Sequence, residues 1–223
     1  MKYKTCVSIA ESKPRKLQQT IEIALKKSDL IEIRFDFLKA EDIPQVLENI
    51  KKNMKKMICT LRPKSDGGKF TGNEKERISI IKLIAEYNPF LLDVEFNTMN
   101  HDKKLVKYLK QTKVNLLISD HDFKKTPNLT QLKKKFSKMI KFSQHIKIVT
   151  TAKSTDDASR VLQLYNKKGK INLIAFAMGD AGRLSRILSL YLGSPFTYVS
   201  LGKPIAPGQF SVDEVNKIIN LKN

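Results

Sequence analysis

Short runs rich in β-branched residues alternate with longer stretches of helical periodicity along the whole chain. The runs fall at 4–10, 30–34, 57–61, 90–95, 114–120, 145–149, 172–177 and 197–200. Parallel strands can be joined only through a crossover, so strict βα alternation restricts the chain to parallel-sheet architectures. Eight units of roughly 25–30 residues, with no long linker and no break in composition, predict a closed (β/α)8 (TIM) barrel, a single domain over residues 1–223. A doubly wound sheet is the alternative. It usually carries a glycine-rich first turn, and neither GxGxxG nor GxxxxGK[ST] occurs here.

Helix boundaries are marked locally. Pro14 fits a first-turn proline, and Thr126-Pro127 reads as an N-cap followed by N1. Thr71 with Glu74, and Ser211 with Glu214, match the capping box. Gly169 and Gly193 sit where helices need a left-handed residue to close. Over 182–192, Leu184, Ile187, Leu188 and Tyr191 line one helical face.

The formal net charge is +20, and seven arginines leave 35 lysines among the 42 basic residues. Lysine is a poor bidentate reader of phosphates and bases, and the lysine runs 51–52, 55–56 and 133–135 lack interleaved aromatics. They read as solvated helix surface that also draws in an anionic substrate, not as a specific nucleic-acid interface. A basic nucleic-acid binder is the competing class; its binding would be steeply salt-dependent and would survive loss of Lys147. The two cysteines, Cys6 and Cys59, lie inside apolar runs without metal-ligand spacing and read as buried free thiols of a reducing compartment. With no apolar stretch of membrane-spanning length and no secretory leader, the expectation is a cytoplasmic protein without membrane attachment.

In a barrel, reactive side chains gather where the strands end. The second strand ends Glu32-Ile33-Arg34-Phe35-Asp36, with charges at period two that share a face if the strand runs that far. The third ends in Arg62, followed by Pro63-Lys64-Ser65-Asp66-Gly67-Gly68. The fourth carries Asp93 and Glu95, and the fifth ends Asp120-His121-Asp122. Charges on strand faces are costly unless they pair or meet a ligand, so an internal salt-bridge network is the bland account of any one of them. With Lys147 in the sixth strand, five successive strands carry polar groups and predict a polar pocket, and the carboxylates come with arginines, not with metal-ligand spacing. Lys147 lies between Ile146 and Ile148 in the sixth strand. A lysine held in apolar surroundings pairs, snorkels or loses its proton, and the free amine attacks carbonyls. Lys153, farther along the same connection, is a rival that spacing leaves open. His145 lies at the start of its strand, below a site at the other end, and His101 reads as surface.

The ordered set Glu32-Ile33-Arg34-Phe35-Asp36, Thr60-Leu61-Arg62, Asp66-Gly67-Gly68, Asp93-Val94-Glu95, Ser119-Asp120-His121-Asp122-Phe123, Ile146-Lys147-Ile148, Met178-Gly179, Ser185-Arg186 and Ala206-Pro207-Gly208-Gln209 resembles the type I 3-dehydroquinate dehydratases over nearly the whole length. The resemblance implies a cofactor-free lyase of the shikimate pathway that turns 3-dehydroquinate, an anionic cyclic hydroxy-keto acid, into 3-dehydroshikimate. It implies that Lys147, in preference to Lys153, forms the Schiff base and that His121 is the general acid/base. Asp66 stands where many relatives place Glu against that histidine, one methylene shorter here. Arg186, in preference to Arg183, and Gln209 would hold the substrate carboxylate. Glu32, Arg34 and Arg62 would bind ring hydroxyls, and Ser8 would line the floor. Residues 202–209 suit a lid, and relatives are commonly homodimers. Another Schiff-base barrel, such as a class I aldolase, is the nearest enzyme alternative; such sites commonly recognise phosphorylated substrates.

Overall fold

The computed structural model describes residues 3–220, so residues 1–2 and 221–223 of the expected domain lie outside it. Its strands are β1 (Thr5–Ile9), β2 (Leu30–Arg34), β3 (Met57–Thr60), β4 (Leu91–Glu95), β5 (Leu116–His121), β6 (His145–Thr151), β7 (Asn172–Met178) and β8 (Thr197–Val199). Every expected strand is present to within a few residues. The hydrogen-bonded order is β7-β6-β5-β4-β3-β2-β1-β8. The order follows the chain, with β8 beside β1, and lacks the mid-sheet reversal of a doubly wound fold. It is the order of a (β/α)8 sheet. The residues group into two compact units, Ile9–Leu117 and the described residues on either side of it.

Within Ile9–Leu117, β2, β3 and β4 pair in parallel, with Arg34 beside Thr60 and Thr60 beside Asp93. Helix α1 (Pro14–Lys27) starts at the expected proline and packs on β2, burying Leu17, Ile21 and Ala24 at helical spacing. Helix α2 (Ile43–Ile50) and helix α3 (Glu74–Glu86) follow. Helix α4 (Phe96–His101) and helix α5 (Lys103–Thr112) complete this unit. The start of α3 differs from expectation. Asn73, not Thr71, is the cap, and its side chain accepts from the Glu76 amide. Strand β2 also stops at Arg34, where Phe35–Phe37 tighten into a 3-10 turn. Asp36 therefore leaves the strand face that period two assigned to it.

In the other unit β1 pairs with β8 and β6 with β7, again in parallel. Helix α6 (Leu129–Met139) begins after Asn128, which accepts from the Gln131 amide. The expected cap Thr126 is instead buried, its hydroxyl within 2.8 Å of the Thr150 hydroxyl and donating to the Thr151 carbonyl. Helix α7 (Thr155–Leu162) and helix α8 (Ser185–Tyr191) pack on β7. Helix α9 (Val212–Asn220) opens with the expected box, in which the Glu214 amide donates to the Ser211 hydroxyl and the Ser211 amide to the Glu214 carboxylate. The apolar stripe on α8 splits. Ile187 is buried, while Leu184, Leu188 and Tyr191 remain exposed together with Leu192. Cys6 on β1 and Cys59 on β3 form no disulfide and are fully buried, as the apolar runs around them predict.

The chain between β3 and α3 turns back on itself. The Asp66 and Gly68 amides donate to the Pro63 carbonyl, and the Phe70 amide reaches back to Arg62. Gly67 takes a left-handed conformation at φ 73°, and Gly68 lies so close to the backbone that a Cβ there would come within 2.0 Å of the Arg62 carbonyl oxygen. A backbone oxygen cannot swing aside as a long side chain can. Gly68→Ala is therefore expected to destabilise the protein by about 1–3 kcal/mol in urea unfolding followed by circular dichroism. A change below about 0.5 kcal/mol would show that the loop yields without cost.

Candidate active site

Within Ile9–Leu117 the polar side chains at the strand ends form one buried network. Arg62, just past β3, donates through Nη2 to Asp93 and through Nη1 to Glu95, both at 2.7 Å. Arg77, on α3, donates to the other Glu95 oxygen at 2.7 Å, to both oxygens of Glu74 and to the Thr98 hydroxyl. Arg62, Arg77, Asp93 and Glu95 are all at most 3% exposed. Burial opposes the charge on Arg62, but Asp93, Glu95 and Glu32 outweigh it and hold its pKa above the ordinary range. Burial likewise lifts the Glu95 carboxyl, against the pull of Arg62 and Arg77. Glu32, buried on β2, accepts from the Thr60 hydroxyl at 3.0 Å. Arg34 forks onto Asp36 through Nε at 2.8 Å and Nη2 at 2.7 Å. Asp66 is half-buried, and its carboxylate accepts from Ser65.

Arg77 is the member that reading the sequence missed. Its neighbours Glu74, Lys75 and Glu76 suggest an exposed first turn. Yet Arg77, Ile81 and Ile84 are spaced i, i+4, i+7, which sets the arginine on the buried stripe, and that spacing was the available signal.

The second set lies in the other unit. Lys147 is 6% exposed within β6, its Nζ 4.1 Å from the centroid of the Tyr198 ring on β8. Lys153 is exposed beyond the strand, with its backbone amide bonded to Asp157. The two candidates thus differ in burial, Lys147 within a core strand and Lys153 at the surface. His121 closes β5 and is stacked on Phe123. Asp120, the residue before it, accepts from Lys135 at 2.6 Å. His145 begins β6, two residues before Lys147 and within 3.2 Å of the Asn172 amide nitrogen, its pKa pulled down by burial. His101 is exposed at the end of α4. Ser8 is buried on β1.

Arg186, near the start of α8, is 2% exposed and lies 4.2 Å over the Phe176 ring. It donates to the Pro207 carbonyl at 3.1 Å, while its Nε has no hydrogen-bond partner. Among the described residues no carboxylate pairs with it, and burial pushes its pKa down to about 10. Arg183 also lies over a ring but differs in exposure and countercharge. It is partly exposed, pairs with Glu214 at 3.0 Å and stacks on Phe210. The segment after β8 folds onto the same place. Gln209 is buried, and its Oε1 accepts from the Ile205 amide. An unpaired buried guanidinium in this setting fits a carboxylate ligand, which would supply the missing countercharge in a bidentate contact. Among the described residues no group of three or more His, Cys, Asp or Glu side chains is placed to hold a metal ion.

The family model "Type I 3-dehydroquinase" matches residues 5–223. The chain belongs to this family. It is 36% identical over 221 residues to the 3-dehydroquinate dehydratase of Methanocaldococcus jannaschii, covering 97% of each chain. Among solved structures it superposes on the 3-dehydroquinate dehydratase of Aquifex aeolicus with a TM-score of 0.81 at 26% identity, covering 97% of each chain. The enzyme of Geobacillus kaustophilus gives a TM-score of 0.87 at 24% identity, over 99% of this chain and 91% of that one. These likenesses agree with the (β/α)8 fold read from the strand order.

The electrostatics of Arg186 carry a cost to folding. A cation whose pKa falls on folding loses stability at every pH below the folded value, here about 10, and the penalty lifts only as pH climbs toward the unfolded value. At neutral pH the penalty is on the order of 3 kcal/mol, partly offset by the Phe176 and Pro207 contacts. Arg186→Met should therefore keep or raise the melting temperature at pH 7 while abolishing binding of a carboxylate ligand. A fall of 5 °C or more in calorimetry would mean that the guanidinium stabilises the fold after all.

Proposed function

We propose that this chain dehydrates 3-dehydroquinate to 3-dehydroshikimate through an imine on Lys147. Family membership supplies the reaction class, a hydro-lyase of the shikimate pathway. The observation that carries the residue-level reading is the pairing, in one compact unit, of a buried amine on a core strand with a buried arginine that lacks a carboxylate. Such a pair suits a substrate that carries a ketone and a carboxylate and no phosphate, which favours this reading over a phosphosugar aldolase.

The Lys147 amine adds to the C3 ketone and expels water, giving an iminium. The iminium is a stronger electron sink than the ketone and acidifies the proton at C2. His121 takes that proton, leaving an enamine, and then returns it to the C1 hydroxyl as the electrons push out water. Hydrolysis of the conjugated iminium frees the product and the amine. One imidazole serves both proton steps, each worth roughly 10²–10⁴-fold. Asp66 orients His121, while Arg186 and Gln209 hold the carboxylate. Glu32, Arg34 and Arg62 hold ring hydroxyls, with Ser8 on the floor, and residues 202–209 close over the substrate. The reading treats the two compact units as one catalytic domain, supported by a family match that runs unbroken through both. No metal or other cofactor takes part in these steps.

A second copy of the chain is the expected partner. The exposed Leu184, Leu188, Tyr191 and Leu192 support that reading, because residues 187–202 carry no charge in a chain of net +20. Two such copies repel least across such a face. Among the described residues no helix is long and apolar enough to cross a membrane. We take the compartment to be the cytoplasm, in keeping with the buried free thiols.

Borohydride reduction in the presence of 3-dehydroquinate, followed by peptide mass mapping, tests the mechanism. The expected result is a reduced adduct on Lys147, lost in Lys147→Ala together with turnover. An adduct on Lys153, or more than a few per cent of activity in Lys147→Ala, would sink the assignment. His121→Ala should still be trapped as an imine yet turn over at least 10²-fold more slowly.

A further inference from the structure

The buried carboxylate of Asp36 is shared between a side chain and a loop. The 3-10 turn Phe35–Phe37 aims it back at the strand it has just left, where Oδ1 and Oδ2 take the Arg34 fork at 2.8 and 2.7 Å. Oδ2 also accepts the backbone amide of Lys69 at 2.9 Å. Its side chain is 0% exposed, so the accepting end of all three bonds is out of water. Lys69 follows Gly67-Gly68 in the loop that carries Asp66. The other bonds of that loop close it on itself and on Arg62, while Asp36 ties it to the turn after β2.

The arrangement also selects which edge of Arg34 is available. A guanidinium has five N–H donors in a planar fork. Asp36 occupies the Nε/Nη2 edge, the plane lies 5.2 Å over the Phe37 ring, and the side chain remains 15% exposed. The Nη1 edge is thus the one left to meet a ligand. We propose that Asp36 is a positioning residue of this enzyme, fixing the Nη1 edge of Arg34 and the Asp66 loop through one carboxylate without touching substrate. This inference deepens the proposed function and rests on it. A carboxylate present only to hold the fold would leave the kinetics of the folded fraction unchanged. One that positions both groups couples to each of them.

Asp36→Asn keeps the size but removes the charge and turns an amide donor toward groups that are themselves donors. Its kcat/KM for 3-dehydroquinate, corrected for the folded fraction by borohydride titration, should fall at least 30-fold. The Arg34→Ala/Asp36→Asn double variant should be no more than about threefold worse than Arg34→Ala alone, because both changes break the same contact. Lys69→Pro, at an exposed position, deletes the N–H that Asp36 accepts and leaves the carboxylate and Arg34 unaltered. It should slow kcat several-fold with KM kept, and hydrogen exchange of peptides covering 63–72 should quicken at least tenfold in both Asp36→Asn and Lys69→Pro. Losses that multiply in the double variant, an Asp36→Asn enzyme within twofold of the parent, or unchanged loop exchange would each overturn the inference. A parent protein without turnover or trapping would instead defeat the proposed function, and the exchange measurement would still decide whether Asp36 holds the loop.

Discussion

The ion pair between Arg62 and Glu95, closed at 2.7 Å with both partners almost wholly out of water, sets the terms for Ile9–Leu117. Neither charge can be buried alone, because a lone buried ion loses several kcal/mol of hydration. Arg62 therefore takes a second carboxylate from Asp93, and Glu95 a second guanidinium from Arg77. Arg77 in turn draws Glu74 and Thr98 into the same network. A strand end, the next strand and the helix between them are thereby locked by charges whose geometry is far more directional than apolar packing. An arginine held this way by two carboxylates has little rotamer freedom left.

The other unit answers the same problem in the opposite manner. Arg186 is buried with a ring face and a carbonyl, and with no carboxylate among the described residues. Its neighbour Arg183, three positions earlier, has the ordinary solution of a half-exposed ion pair with Glu214. One helix entry thus holds two arginines that differ in countercharge as well as in exposure. Proteins tolerate such unpaid charges where binding compensates for them.

Much of this was legible in the sequence, because period and spacing report backbone geometry directly. Eight strands and the Ser211–Glu214 box were readable, as were the polar strand ends. Where several polar residues stand in a row, the pattern no longer says which one caps. In Thr126-Pro127-Asn128 and in Thr71-Gly72-Asn73 the later asparagine takes the role. Thr126 is spent on Thr150 and Thr151, contacts that come only with the tertiary fold. The 3-10 turn after Arg34 was equally invisible, since Phe35-Asp36-Phe37 reads as a continuing strand. Lys147 and Lys153 could not be separated by spacing, because what divides them is depth. The stripe on α8 had the right period, but periodicity says that a face is apolar and not what covers it.

Cys6 and Cys59 fall one in each compact unit, on β1 and β3, and both are fully buried. Burial also pushes the Cys59 thiol well above its usual pKa, so little reactive thiolate exists while the fold stays closed. An alkylating reagent can therefore mark either residue only when its own strand opens. The chain thus carries two internal clocks, and the ratio of their labelling rates reports whether its halves breathe together or one at a time.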